Sequence, residues 1–360
     1  MEFNRGLKDL KPYVGGKPKK EAQDRYNIKE PVKLNSNENV LGSSPLALAI
    51  AKKNVEYANL YPEASNIELR TKIAEVFDVN PENCFVGNGA DEVIYYVAMT
   101  IINDKDEVII PKITFPIYEI AFRIMRAKIV YSRMTNLAID TDDIVRKISK
   151  RTKVLCLCNP NNPTGHALPK KEVYSFIEKI PHNVLILMDE AYMEFAEQDE
   201  SADTISQFKE GHKNLFIIKT LSKIYGLAGL RVGYGIGDEG IIEHMNRIKL
   251  PFNISIVSQN AALGALEDSM FLKKTVDITK EGKSFIYRGL EELGLGYIPS
   301  STNFILIDTK RDADIVTEEL MREGVLVRSA KNYGIPRHIR VTVGTAEQNK
   351  KFIKALKKIC

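Results

Sequence analysis

Cysteine is scarce in this chain, and the four present, Cys84, Cys156, Cys158 and Cys360, form neither a Cys-x-x-Cys metal pattern nor the paired spacing of a disulfide framework. Cys156 and Cys158 sit inside an apolar run, so reduced thiols in a cytoplasmic protein are the simplest reading. Long apolar runs are missing too: none approaches the roughly 20 residues of a membrane span. The first residues, Met1 to Arg5, are polar and carry no export signal. A charge excess is also absent. Lys and Arg number 51 against 47 Asp and Glu, a net charge of +4 with the signs interspersed. That excludes a strongly basic surface for nucleic acid or for anionic membranes, and the Lys17–Lys20 cluster reads as solvated surface. Internal repeats and low-complexity segments are lacking as well.

What is present describes a globular protein, 44% hydrophobic and 27% charged. At 360 residues it exceeds one typical domain, so two are expected. Short apolar strands alternate with amphipathic helices. Strands are expected at 107–110, 127–131, 154–158, 184–188, 215–219 and 232–236, and helices at 91–101, 117–125, 141–148 and 170–180. This alternation predicts an α/β fold, a mostly parallel central sheet sandwiched by helices, with ligands at the strands' carboxyl ends. Pro251-Phe252-Asn253 marks an exit. Beyond it, helices at 257–266 and 271–293 and strands at 303–307, 325–328 and 338–343 predict a smaller α+β domain.

Thr220-Leu221-Ser222-Lys223-Ile224-Tyr225-Gly226 follows the apolar strand that starts at Leu215, with Arg231 eight positions past the lysine. An amine at a strand end suits condensation with an aldehyde. Thr220, Ser222 and the Arg231 guanidinium suit a dianionic phosphate. Together they point to lysine-linked pyridoxal phosphate, with a solvated surface lysine and a structural arginine as the alternative. Leu185-Ile186-Leu187-Met188-Asp189 ends a buried strand in an acid, which can pair with the protonated pyridine nitrogen. Tyr192 can then hydrogen-bond the ring's phenolic oxygen. The alternative is that Asp189 caps a helix and Tyr192 packs in the core. Asn159-Pro160-Asn161-Asn162-Pro163-Thr164-Gly165 is a rigid turn that holds the Asn162 amide for the same oxygen.

These motifs, in this order and spacing, resemble the fold-type I pyridoxal-phosphate aminotransferases of class II, and within them the histidinol-phosphate aminotransferases. The likeness runs from Gly6-Leu7-Lys8 to Arg340-Val341-Thr342-Val343-Gly344-Thr345. It implies a phosphate loop at Gly89, Ala90 and Asp91, where a glycine turn opens a helix. Phe115 then matches the aromatic that stacks on the pyridine ring, a position many relatives fill with tyrosine. Tyr61 matches a tyrosine that reaches across a homodimer interface to the partner's cofactor phosphate. Arg340 and Arg328 are implied anchors for an anionic substrate, a phosphate monoester or the carboxylates of glutamate. Tyr13 and Asn37, the latter in Leu34-Asn35-Ser36-Asn37-Glu38, are implied at the substrate pocket. Val40-Leu41-Gly42 departs from the family's Pro-hydrophobic-Gly.

By this resemblance the division is an amino-terminal arm with part of the small domain at 1–42, a large cofactor domain at 43–255 and a small domain at 256–360. The activity implied is transamination between L-histidinol phosphate and 2-oxoglutarate, with Lys223, Asp189 and Tyr192 catalytic and no metal. An aromatic amino-acid aminotransferase shares every motif. A threonine-phosphate decarboxylase is disfavoured by Val327-Arg328-Ser329-Ala330-Lys331-Asn332-Tyr333-Gly334. A pyridoxal-binding regulator needs a helix-turn-helix domain, and the roughly 40 residues before the large domain are too few for one.

Overall fold

The structure, a computed structural model, describes residues 5–7 and 10–360; residues 1–4, 8 and 9, part of the expected amino-terminal arm, lie outside the described residues. Seven strands form the large sheet in the spatial order Cys84–Gly87, Gly233–Ile236, Leu215–Thr220, Leu185–Asp189, Thr152–Cys158, Glu107–Pro111 and Lys128–Ser132. The five from Leu215–Thr220 onward run parallel, and Gly233–Ile236 is antiparallel to both its neighbours. Successive residues of a strand point to opposite faces. Leu155 and Leu157 accordingly join one core with Phe176 and Ile177. Val154, Cys156 and Cys158 join the other with Val97, Tyr118 and Phe122. Both faces are covered, which is why these strands read as unbroken apolar runs.

A second sheet is antiparallel throughout, ordered Gly296–Tyr297, Phe304–Asp308, His338–Thr342, Arg328–Ser329. One face packs Ile305, Ile307, Ile339 and Val341 against Ile286, Leu320 and Phe352. The alternate residues, including Arg340 and its cross-strand partner Arg328, therefore fall on the other face.

Two expectations are corrected. The single strand at 325–328 is two: Val325–Leu326 pairs in parallel with Val32–Lys33, and Arg328–Ser329 pairs with the His338–Thr342 strand. The chain changes partner at Val327, which lets the amino-terminal segment insert there. The helix Ile256–Glu267, which follows the expected boundary, packs on the large layer, where Ala261, Ala262 and Ala265 share a core with Ala47 and Ala51. A Cβ at Gly264 would meet Ile50 Cδ1 at 2.6 Å, so glycine permits the close approach. Ser269–Glu292 makes the transfer to the smaller core, through Ile286 and Leu290. Among the described residues no helix is long and apolar enough to cross a membrane.

Candidate active site

The carboxyl ends of Thr152–Cys158, Leu185–Asp189 and Leu215–Thr220 open onto a pocket of about 240 Å³. Lys223, Asp189, Tyr192, Asn162, Phe115, Ala90, Asp91, Thr220, Ser222, Arg231, Arg340, Asn37 and Tyr13 all line it. The Lys223 amine donates to the Ser36 carbonyl oxygen at 3.3 Å and lies 5.8 Å from the Tyr192 ring centroid. Burial, followed by the Arg340 charge, brings its pKa down to about 8. Four residues earlier, Lys219 behaves oppositely. Burial opposes its charge also, but Glu194 and Glu190, at 3.0 and 3.2 Å, outweigh it and keep the ammonium charged.

Asp189 is buried, which raises its pKa, while donors on both oxygens oppose the rise. Tyr118 Oη donates to Oδ2 at 2.5 Å and the Ala191 amide to Oδ1 at 3.0 Å. Tyr192 Oη accepts from Asn37 Nδ2 at 3.0 Å, which ties the amino-terminal segment to the pocket floor. Asn162 Oδ1 accepts from Arg340 Nη1 at 2.5 Å, and Arg340 Nη2 donates to the Asn35 carbonyl at 3.2 Å. Arg340 Nε is buried without a partner among the described residues. A buried arginine with a spare donor beside a pocket is suited to an anion.

At the opposite end, Arg231 Nη1 lies 3.4 Å from Ser222 Oγ and Nη2 lies 3.4 Å from Asp91 Oδ2. The helix Ala90–Ile101 begins here with no side-chain cap, which leaves first-turn N–H groups for a ligand. Gly89 has φ +83°, and a Cβ there would strike the Arg231 guanidinium at 2.3 Å. A Cβ at Gly233 would strike the Ala90 nitrogen at 2.3 Å. Both glycines therefore hold open a cradle of amides, hydroxyl and guanidinium that fits a phosphate. Lysine, buried acid and cradle together fit an aldehyde-bearing pyridine with a phosphate arm, and no cluster that could hold a metal ion occurs among the described residues.

Two expected residues lie apart. Arg328 lines a neighbouring cavity of about 620 Å³ instead, with Nη2 donating to the Val14 carbonyl at 2.5 Å and its guanidinium 5.6 Å from the Tyr13 ring. The strap from Tyr13 to Gly16 thus separates the two arginines. Tyr61 is exposed and stacks on Phe252 at 4.6 Å, away from its own chain's pocket. Sequence reasoning missed Cys158 and Gly16 in the lining, and missed Tyr118 behind it. Only the last had a signal, its place in the first turn of the helix that Pro116 starts directly after Phe115.

A model of the class I and II aminotransferases matches residues 29–356. The chain belongs to that family. Among similar aminotransferases, histidinol-phosphate aminotransferase 2 of Carboxydothermus hydrogenoformans is 40% identical over 99% of this chain and 98% of its own length. The histidinol-phosphate aminotransferase of Bacillus licheniformis is also 40% identical, over 99% of each chain. The crystal structure of the Sinorhizobium meliloti histidinol-phosphate aminotransferase in complex with pyridoxal-5′-phosphate superimposes with a TM-score of 0.90, covering 99% and 98% of the two chains. At 23% identity that last likeness speaks for the aminotransferase fold alone.

Proposed function

We propose that this chain is a pyridoxal-phosphate-dependent transaminase that exchanges the amino group between L-histidinol phosphate and 2-oxoglutarate, in histidine synthesis in the cytoplasm. The observation that carries the proposal is the half-buried Lys223 amine, brought down to about pKa 8, in one pocket with Asp189, Arg231 and Arg340, the last two suited to anions. The names and full-length coverage of the relatives support the choice of substrate.

Pyridoxal phosphate supplies, when bound, an aldehyde for an amine and a ring that accepts the electron pair left at the substrate's α-carbon. Lys223 would hold the cofactor covalently and, as a free amine, would move the proton at the substrate's α-carbon. Its lowered pKa leaves an appreciable fraction neutral near pH 7.5. Asp189 is assigned the ring nitrogen, Phe115 the ring face, and Asn162 and Tyr192 the phenolic oxygen. Gly89, Ala90, Asp91, Thr220, Ser222 and Arg231 hold the phosphate, joined by Tyr61 from the second subunit of a homodimer. Arg340 takes the anionic end of each substrate in turn, the phosphate of one and a carboxylate of the other. Tyr13 and Asn37 close the substrate side. Arg328 acts from behind the strap, where it holds the Val14 carbonyl.

The test is a set of single half-reactions: holoenzyme mixed separately with histidinol phosphate, phenylalanine and O-phosphothreonine, with loss of the cofactor's visible absorbance followed in time. Fastest loss with histidinol phosphate is expected. Fastest loss with phenylalanine would make the protein an aromatic aminotransferase, and an unchanged spectrum with all three would remove the assignment.

A further inference from the structure

Among the described residues no cation is in hydrogen-bond contact with Asp189; its oxygens are held by two neutral donors, Tyr118 Oη and the Ala191 amide. A carboxylate buried at the end of an apolar strand is costly to charge unless its lone pairs are satisfied. Of the two donors only the phenol is a side chain, and its O–H···O bond to a carboxylate, 2.5 Å long, is of the short charge-assisted kind. Tyr118 itself has no exposed surface and does not line the pocket, so it stands behind the acid.

Its placement follows from the helix Pro116–Ile124. Pro116 starts that helix directly after Phe115, its extended N-cap residue, and Tyr118 lies in the first turn. The two rings meet edge to face, 5.8 Å apart at 83°. One helical turn therefore delivers an aromatic face to the pocket and a phenol to the acid beneath it. The Tyr118 ring packs in the same core as Phe122 and Val97, which fixes the phenol in direction.

We propose that Tyr118 is a positioning residue for the transamination, holding Asp189 ionised and aimed into the pocket through its phenol hydrogen bond. The proposal rests on the pyridoxal phosphate reading above. Without the phenol the carboxylate becomes a stronger base and draws the proton from the cofactor's ring nitrogen toward itself. The acid's grip on the ring and the ring's positive charge then weaken together.

Tyr118→Phe keeps the packing and removes only the hydroxyl. In the holoenzyme, affinity for pyridoxal phosphate should fall about tenfold, the loss typical of one hydrogen bond to a charged group. The pH midpoint of the bound cofactor's visible band should move upward, and kcat should fall with KM close to wild type. A lower melting temperature with unchanged affinity and midpoint would reduce Tyr118 to a packing residue and overturn the proposal. Should the single variant fold poorly, Asp189→Asn supplies the second background. Adding Tyr118→Phe to it should cost no further affinity, and a second loss of the same size would overturn the coupling. Wild-type protein that binds no pyridoxal phosphate would overturn both this proposal and the reading it rests on; a wild-type band with an unaffected Tyr118→Phe variant would overturn this one alone.

Discussion

Lys219 and Lys223 stand four residues apart at one strand end, Lys219 buried and Lys223 half-buried, and their surroundings shift their pKa values in opposite directions, up for Lys219 and down for Lys223. Only the neutral amine attacks an aldehyde. In cofactor-free protein, the rate at which pyridoxal phosphate is captured should therefore rise about tenfold per pH unit below pH 8 and level off above it, as a group with its pKa lowered to about 8 requires. Stopped-flow absorbance across that range gives the profile. A rate still climbing at the same slope past pH 9 would return Lys223 to ordinary lysine behaviour. Lys223 was legible from its hydroxyl neighbours and the strand before it. Lys219 was not, because Glu190 and Glu194 reach it from a different strand end, and no local pattern announces that meeting. Arg328 illustrates the converse: its residue type and its place on a strand were legible, but the strap between it and the pocket was not.

At the scale of elements, apolar runs carried the large sheet, since strands covered on both faces have no polar side to blur them. Pairing partners were less visible. Val325-Leu326-Val327-Arg328 reads as one strand because nothing local reveals that Val32–Lys33 pairs with its first half. The helix Ile256–Glu267 likewise has small residues that suit close packing on any surface, so its sequence does not say which layer it joins. The turn after it is more explicit. Asp268 caps the helix Ser269–Glu292 by accepting from the Phe271 amide at 3.1 Å, and its other oxygen accepts from Ser44 Oγ at 2.6 Å, the cap of the helix Pro45–Asn54. One carboxylate thus joins the starts of two helices. Asp268→Ala should lower unfolding free energy by about 1–2 kcal/mol, the usual cost of a lost cap with a second partner released. Chemical denaturation would show it as a reduced midpoint with an unchanged slope, and kcat should stay at the wild-type value because Asp268 does not line the pocket.

For the whole molecule, the decisive question is what covers Tyr61. It is 80% exposed and stacked on Phe252, with Val55, Tyr57, Leu60 and Leu250 also among the exposed large hydrophobic residues. Exposed apolar groups near one another in sequence, at 55–61 and 250–252, are what the proposed dimer interface would use. A two-fold arrangement buries the same patch on both copies, and the proposed dimer sends each Tyr61 to the other chain's phosphate cradle. Complementation follows from that exchange. Lys223→Ala and Tyr61→Ala are each expected to be impaired as homodimers, the first without turnover and the second with weakened cofactor binding. In a mixed dimer one site combines Lys223 of one chain with Tyr61 of the other, and both defects fall in the remaining site. Random reassociation of equal amounts makes half the dimers mixed, so activity at limiting cofactor should recover to about a quarter of wild type. Activity no higher than the average of the two parent variants, with mixed dimers present by native mass spectrometry, would mean that Tyr61 serves its own chain or none.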